Sequence, residues 1–156
     1  MKECANSISK PHIMTEATDS SAASANAPEF PRELVLRVMP MPADVNANGD
    51  VFGGWIMAQV DLAASVLPTR LSRGRVTTVA VNQFVFKQPV SIGDLLSFYA
   101  QIQRVGRTSI TVNVEVFAER DPVNPHIVKV TEASLTYVAI DHDGKPRVIG
   151  LDKPGT

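Results

Sequence analysis

The chain has 156 residues, of which 44% are apolar and 20% are charged, and its formal net charge is −1. This length suits a single domain with its own core, and the near-neutral charge argues against general binding to nucleic acid or to a membrane surface. The single cysteine, Cys4, excludes a disulfide framework within the chain and a cysteine-rich metal site, and it fits a reducing, cytoplasmic location.

Residues 1–30 are rich in Ser, Ala and Thr, which predicts a disordered N-terminal tail, with Met14 as a candidate translation start. We expect one folded domain over residues 31–148 and a short C-terminal tail over 149–156. Leu34, Leu36 and Val38 alternate along a first predicted strand, which Pro40 ends. No apolar run reaches the roughly 20 residues that a membrane-spanning helix requires.

The next element is a helix that follows a loop over residues 43–52. Its predicted extent is Gly54 to Val66, ending before Pro68, because a proline disfavours helical backbone in the residue ahead of it. The predicted buried face consists of apolar residues at helical spacing, Ile56, Val60, Ala63 and Leu67.

After residue 75 the apolar period changes from helical spacing to two. Alternating or β-branched runs predict four strands, near residues 76–86, 96–103, 110–116 and 127–140. Gly106 and Arg107 form the predicted hairpin connection between the middle two. One helix with a long antiparallel sheet makes an α+β domain.

The residues that could carry chemistry begin where the loop enters the helix. Gly53 and Gly54 leave bare backbone amides, which suit an oxyanion or phosphate, although a tight turn alone would also explain two glycines. Asp61 is flanked by Val60 and Leu62, so it is either a capped structural acid or a general base or nucleophile. Together these groups suggest polarisation of a carbonyl and attack on it.

Polar residues of the preceding loop, Asn46, Asn48 and Asp50, have two interpretations. Asn and Asp are ordinary turn formers, yet one of these side chains could orient an attacking water or the carbonyl.

Cationic and hydroxyl side chains suggest a phosphate site at the second hairpin. Arg107, Thr108 and Ser109 follow Gly106, and a guanidinium, two hydroxyls and turn amides suit a phosphate, although a solvated turn is the simpler explanation. The further candidates, each of which could be an ordinary surface charge, are Lys87, Arg73 and Arg75. No histidine pair or Cys-x-x-Cys has the spacing of metal ligands, so we expect no metal and no redox cofactor.

Residues 49–57 resemble the signature of the hotdog-fold acyl-CoA thioesterases of the YciA-type branch, with the sequence Gly-Asp-Val-Phe-Gly-Gly-Trp-Ile-Met. The resemblance extends from about Leu34 to Arg147. The resemblance implies an antiparallel sheet wrapped around one central helix, with Asp61 at the catalytic position. It also favours Asp50 as the assisting loop residue. Many relatives carry histidine directly before the glycine pair, whereas this chain has Phe52.

The implied activity is hydrolysis of acyl-CoA to a free acid and coenzyme A, with Gly53 and Gly54 holding the carbonyl oxygen and Asp50 or Asn46 assisting. The coenzyme A pyrophosphate is expected near Arg107. The alternatives are a non-catalytic acyl-CoA-binding module of the same fold and a hotdog dehydratase or hydratase, which would use a histidine with an acid.

The distance between the two catalytic groups predicts a site shared between two chains. Gly54 and Asp61 are seven residues apart, which is about 10 Å along a helix, so one carbonyl cannot contact both in a single chain. Two antiparallel helices of a homodimer would bring them together, and residues 76–86 would supply an interface strand. The family resemblance implies such a dimer, with further assembly into a tetramer or hexamer.

Overall fold

The structure is a computed structural model that describes residues 30–150. Strand β1 is followed by one short 3-10 turn, the long helix α1 and four further strands. Their bounds are β1 Glu33–Val38, the 3-10 turn Pro42–Asp44, α1 Gly53–Ser72, β2 Val76–Phe86, β3 Leu95–Val105, β4 Ser109–Arg120 and β5 His126–Ala139. The predicted order of a strand, a helix and four strands is confirmed, and the predicted tail lies outside the described residues except for Phe30.

The five strands form one antiparallel sheet in the order β1-β3-β4-β5-β2. Hairpins connect β3 to β4 and β4 to β5, so β4 lies at the centre. The two edge strands differ in length, since β1 has six residues and β2 has 11. Among the described strands, β2 pairs with β5 alone. One side of β2 therefore presents a long row of backbone groups that pair with no other strand of residues 30–150.

Helix α1 lies across one face of the sheet and contacts all five strands. The four residues predicted for its buried face, Ile56, Val60, Ala63 and Leu67, are each at most 5% exposed. They pack against the inward side chains of the sheet, which include Phe98, Val112, Val114, Leu135 and Tyr137. The apolar spacing of the sequence thus defines which side of the helix faces the sheet.

The predicted end of the helix at Val66 is wrong, because α1 continues through Pro68 to Ser72. Pro68 removes one backbone donor. The hydroxyl of Thr69 donates to the carbonyl of Ser65 over 2.8 Å, and burial of Leu67 and Pro68 in the core favours the last turn. Packing therefore outweighs the local preference against helix before a proline.

Both ends of the described chain contact the domain. The amide of Gln101 donates to the carbonyl oxygen of Phe30 over 2.9 Å. Ile149 is 6% exposed, and its N–H donates to the carbonyl of Arg107 over 2.9 Å. Core packing thus extends to Ile149, the first residue of the expected C-terminal tail, whose residues 151–156 are outside the described range.

Candidate active site

The N-terminus of α1 carries two amides that donate to no acceptor in the described part of the chain. Phe52 is the N-cap residue, its side chain makes no capping bond, and the N–H groups of Trp55 and Ile56 donate back to the Phe52 carbonyl over 3.0 and 3.2 Å. The N–H groups of Gly53 and Gly54 have no acceptor within residues 30–150. Since no acidic side chain occupies the first turn, the positive end of the helix dipole is available to a ligand.

The space in front of these amides is open. A Cβ atom added to Gly54 would have no neighbour within 4 Å, whereas one added to Gly53 would lie 3.1 Å from Cζ of Phe86. A pocket of about 320 Å³ borders this helix start and is lined by Asp50, Val51, Gly53, Ile56, Phe86, Lys87, Gln88, Pro89 and Val90. A substrate carbonyl can therefore approach the amides from solvent.

Asn46 and Asp50, the two candidate loop residues, differ in the hydrogen bonds that their side chains accept. Oδ1 of Asn46 accepts the N–H groups of Asn48 and Asp50 over 2.8 and 3.2 Å, so this side chain shapes the loop. Asp50 lines the pocket beside Gly53, and its carboxylate accepts no hydrogen bond from the described part of the chain. Asp50 is therefore the better placed of the two to meet a water or substrate.

Asp61 lies half-buried on α1, where two hydroxyl groups converge on one of its carboxylate oxygens. Oδ1 accepts hydrogen bonds from Thr78 Oγ1 at 2.7 Å and from Tyr137 Oη at 2.9 Å. Tyr137 Oη is also 2.9 Å from the backbone carbonyl of Asp61. No described residue donates to Oδ2, so this oxygen is free to act on a ligand.

Tyr137 remains a hydrogen-bond donor throughout the ordinary pH range. Burial raises the pKa of its hydroxyl well above the usual value, and the hydrogen bond to Asp61 and the charge of that carboxylate raise it further. The phenol is therefore protonated at neutral pH and can donate its proton to Asp61.

The predicted phosphate turn lies at the same end of the sheet as Asp61. In the β4–β5 pairing Ser109 faces Val138 and Ile110 faces Tyr137. The Gly106 N–H closes the hairpin by donating to the Ser109 carbonyl over 2.7 Å. Arg107 is exposed just ahead of this pair, so its side chain is accessible to solvent.

The other three cations predicted to bind phosphate are placed less favourably. Nζ of Lys87 forms a 3.0 Å salt bridge with Glu132, and Nη1 of Arg75 lies 3.4 Å from the carbonyl of Asp141. Lys87 also sits beside Gly53 rather than near Arg107. Arg73 is the exposed, left-handed C-cap of α1 with φ 50°.

Sequence reasoning missed Thr78 and Tyr137. The alternation of β5 places Tyr137 inward, and a buried tyrosine hydroxyl needs a partner, which was an available signal. Thr78 is its cross-strand neighbour in the β2–β5 pairing, and that register cannot be read from the strands separately.

Within 30–150, no three His, Cys, Asp or Glu side chains group together as potential metal ligands. Of the helices in that range, none is long and apolar enough to cross a bilayer. His126 and His142 are exposed at a strand end and in a turn.

Comparison with known proteins identifies the family of this chain. Residues 48–124 match the model of the thioesterase superfamily. The chain is 48% identical over 118 residues to the acyl-CoA thioester hydrolase YciA of Salmonella typhimurium, an alignment that covers 74% of this chain and 88% of that protein.

Two solved structures extend the comparison to the fold. The hexameric broad specificity acyl-coenzyme A thioesterase HI0827 is 43% identical, with a TM-score of 0.72 over 76% of this chain and 82% of that one. The hexameric hotdog fold thioesterase Cj0915 of Campylobacter jejuni is also 43% identical, with a TM-score of 0.72 over 76% of this chain and 90% of its own. The chain therefore belongs to the hotdog-fold thioesterase superfamily, in its YciA-type branch of acyl-CoA thioester hydrolases.

Proposed function

We propose that this protein hydrolyses acyl-CoA thioesters to a free carboxylic acid and coenzyme A. The observation that carries the proposal is the open helix start, where the amides of Gly53 and Gly54 have no acceptor within residues 30–150. Membership of a family whose YciA-type relatives are acyl-CoA thioester hydrolases supplies the substrate class.

The two glycine amides bind the thioester carbonyl oxygen. Attack on the carbonyl carbon moves negative charge onto this oxygen, and fixed donors stabilise that charge more strongly than the neutral carbonyl. The open space in front of Gly54, where even an added Cβ would meet no atom within 4 Å, allows the carbonyl to approach the backbone closely.

Asp61 supplies the attacking group, either by accepting a proton from water or by attacking the carbonyl carbon itself. Its Oδ2 is free for this role, since the two hydroxyl donors both bind Oδ1. Asp50, which lines the pocket beside Gly53, assists by orienting water or substrate. The thiolate of coenzyme A is the leaving group, and no metal or redox cofactor takes part in this scheme.

Each active site combines groups from two chains. The rise from Gly54 to Asp61 is about 10 Å along α1, which exceeds the reach of a single carbonyl. In a two-fold dimer with antiparallel helices, Gly54 of one chain meets Asp61 of its partner.

Exposed apolar side chains and a free strand edge support this dimer. Met57 and Leu62 on α1 are 41% and 61% exposed, and Val79 and Val81 on β2 are 55% and 49% exposed. A long apolar edge strand is ordinarily paired or covered, so β2 suits pairing with its copy. Because HI0827 and Cj0915 are hexameric, we infer that three such dimers assemble here.

Arg107 binds the phosphates of coenzyme A, with the hydroxyls and amides of Thr108 and Ser109. Its position at the Asp61 end of the sheet supports this role. Arg75 and Lys87 contribute less, because each side chain already has a partner in its own chain.

A thiol-release assay tests the proposed function directly. A panel of thioesters from acetyl-CoA to palmitoyl-CoA is incubated with the protein, and free coenzyme A is measured with a chromogenic thiol reagent. We expect turnover by the wild type, loss of orders of magnitude in Asp61→Ala, and unchanged turnover in the matched exposed control Asp143→Ala. Tight acyl-CoA binding without thiol release would contradict hydrolysis and favour the binding-module alternative.

A further inference from the structure

We propose that Thr78 and Tyr137 are positioning residues for Asp61, holding Oδ1 so that Oδ2 is the oxygen presented to the reacting water or thioester. This inference rests on the proposed function of Asp61 and adds to it the choice of oxygen and the groups that impose that choice.

The contacts come from three separate elements. Asp61 lies on α1, Thr78 near the start of β2, and Tyr137 near the end of β5. Thr78 and Tyr137 are cross-strand partners, so their hydroxyls reach the helix side by side. Their distances to Oδ1, 2.7 and 2.9 Å, are those of good hydrogen bonds.

Tyr137 also fixes the helix backbone at this position. Its side chain is 1% exposed and its hydroxyl lies 2.9 Å from the Asp61 carbonyl, so a rigid phenol touches both the main chain and the carboxylate of one residue. A buried tyrosine hydroxyl needs one acceptor, and the backbone carbonyl alone would satisfy it. The added contact with Oδ1, together with Thr78, defines the rotation of the carboxylate.

Both donors are uncharged, and both reach this carboxylate from the sheet. Within residues 30–150 Asp61 forms no salt bridge, and the one cation of α1 in an ion pair, Arg70, pairs with Glu33 of β1. Ordered donors on one oxygen reduce the conformations that the carboxylate must lose in the transition state. A displacement of about 1 Å in such a group can cost 100-fold in rate.

Single-hydroxyl variants test the inference. We expect Tyr137→Phe and Thr78→Val to lower kcat at least tenfold with KM within about twofold, because the acid is misplaced while the binding surface remains. Thr78→Ser, which keeps the hydroxyl, should recover most of the rate.

Matched controls separate positioning from structure. Tyr99→Phe removes the hydroxyl of the other tyrosine, and Thr111→Val removes one member of the Thr111–Thr136 hydroxyl pair without touching Asp61. Both controls should keep the wild-type kcat and KM. A purely structural Tyr137 would lower the melting temperature and leave the kcat of the folded fraction unchanged, which would overturn the proposal.

A double-mutant cycle completes the test. If Tyr137 acts through Asp61, then Tyr137→Phe should change the residual rate of an Asp61→Ala enzyme by less than about twofold. A further tenfold loss in that background would show an independent role and overturn the proposal.

No thiol release by the wild type, or full activity in Asp61→Ala, would overturn the proposed function and this inference together. If the wild type is active and depends on Asp61, but Tyr137→Phe has the same kcat as the wild type, only the positioning role is overturned.

Discussion

The amide of Gly54 can be removed by a substitution that the local backbone tolerates. Gly54 is the second residue of α1, its N–H has no acceptor within residues 30–150, and its backbone φ is not positive. Proline is compatible with the first turn of a helix, where the missing donor is unpaired anyway. The clash of proline with the residue before it is reduced because Gly53 has no Cβ.

Gly54→Pro should therefore fold and lose activity. Loss of one donor to a developing oxyanion typically lowers kcat by about 10²–10³, which corresponds to about 2.7–4 kcal/mol. The matched control is Gly54→Ala, because a Cβ there meets no atom within 4 Å and the N–H is retained. Alanine should also favour the helix by up to about 1 kcal/mol, so its melting temperature should equal or exceed that of the wild type.

The measurement compares kcat for thiol release from one acyl-CoA in the two variants, after thermal unfolding has shown that both are folded. The proline variant should fall at least 30-fold below the alanine variant. Equal kcat in two folded variants would refute the reasoning that the Gly54 amide stabilises the transition state.

Three further perturbations have definite expected outcomes. Arg107→Ala should raise KM for acyl-CoA strongly yet leave turnover of a short acyl-pantetheine unchanged, and an equal effect on both substrates would indicate a structural role. Asp94→Ala should lower the free energy of unfolding by about 2–3 kcal/mol in denaturant titration, because the buried carboxylate pairs with Arg120 at 3.3 Å. Arg37→Ala, which removes an exposed pair with Glu119, should lower it by less than about 1 kcal/mol. The pKa of Tyr137 is raised in the folded state, so its stabilising contribution is complete below about pH 10 and is lost as pH rises towards the folded pKa. The stability advantage of the wild type over Tyr137→Phe should consequently shrink above pH 10, and a constant difference in alkaline unfolding curves would contradict that shift.

The sequence predicted the parts of this molecule that depend on local pattern. The spacing of Ile56, Val60 and Leu67 identified the helix face, and the change to period two located the four later strands. The end of α1 could not be predicted in this way, because the helix continues past Pro68 through the burial of Leu67 and Pro68 against the sheet.

The candidate site likewise combines local features, which can be predicted from the sequence, with long-range contacts, which cannot. Gly53, Gly54 and Asp61 are recognisable because bare amides and a lone acid on an apolar helix are local features. Thr78 and Tyr137 join Asp61 only through the register between β2 and β5, which is a long-range property. The partners of cations such as Lys87 likewise depend on side chains distant in sequence.

The most direct test of the shared active site is complementation between two inactive variants. Asp61→Ala and Gly54→Pro chains, each with a different affinity tag, are allowed to exchange subunits, and mixed dimers are verified by capture on both tags in turn. A mixed dimer has one site with both groups intact and one with neither. Random exchange should thus restore about a quarter of wild-type thiol release, since half of the dimers are mixed. Verified mixed dimers without restored activity would contradict the account and require each chain to build its own site.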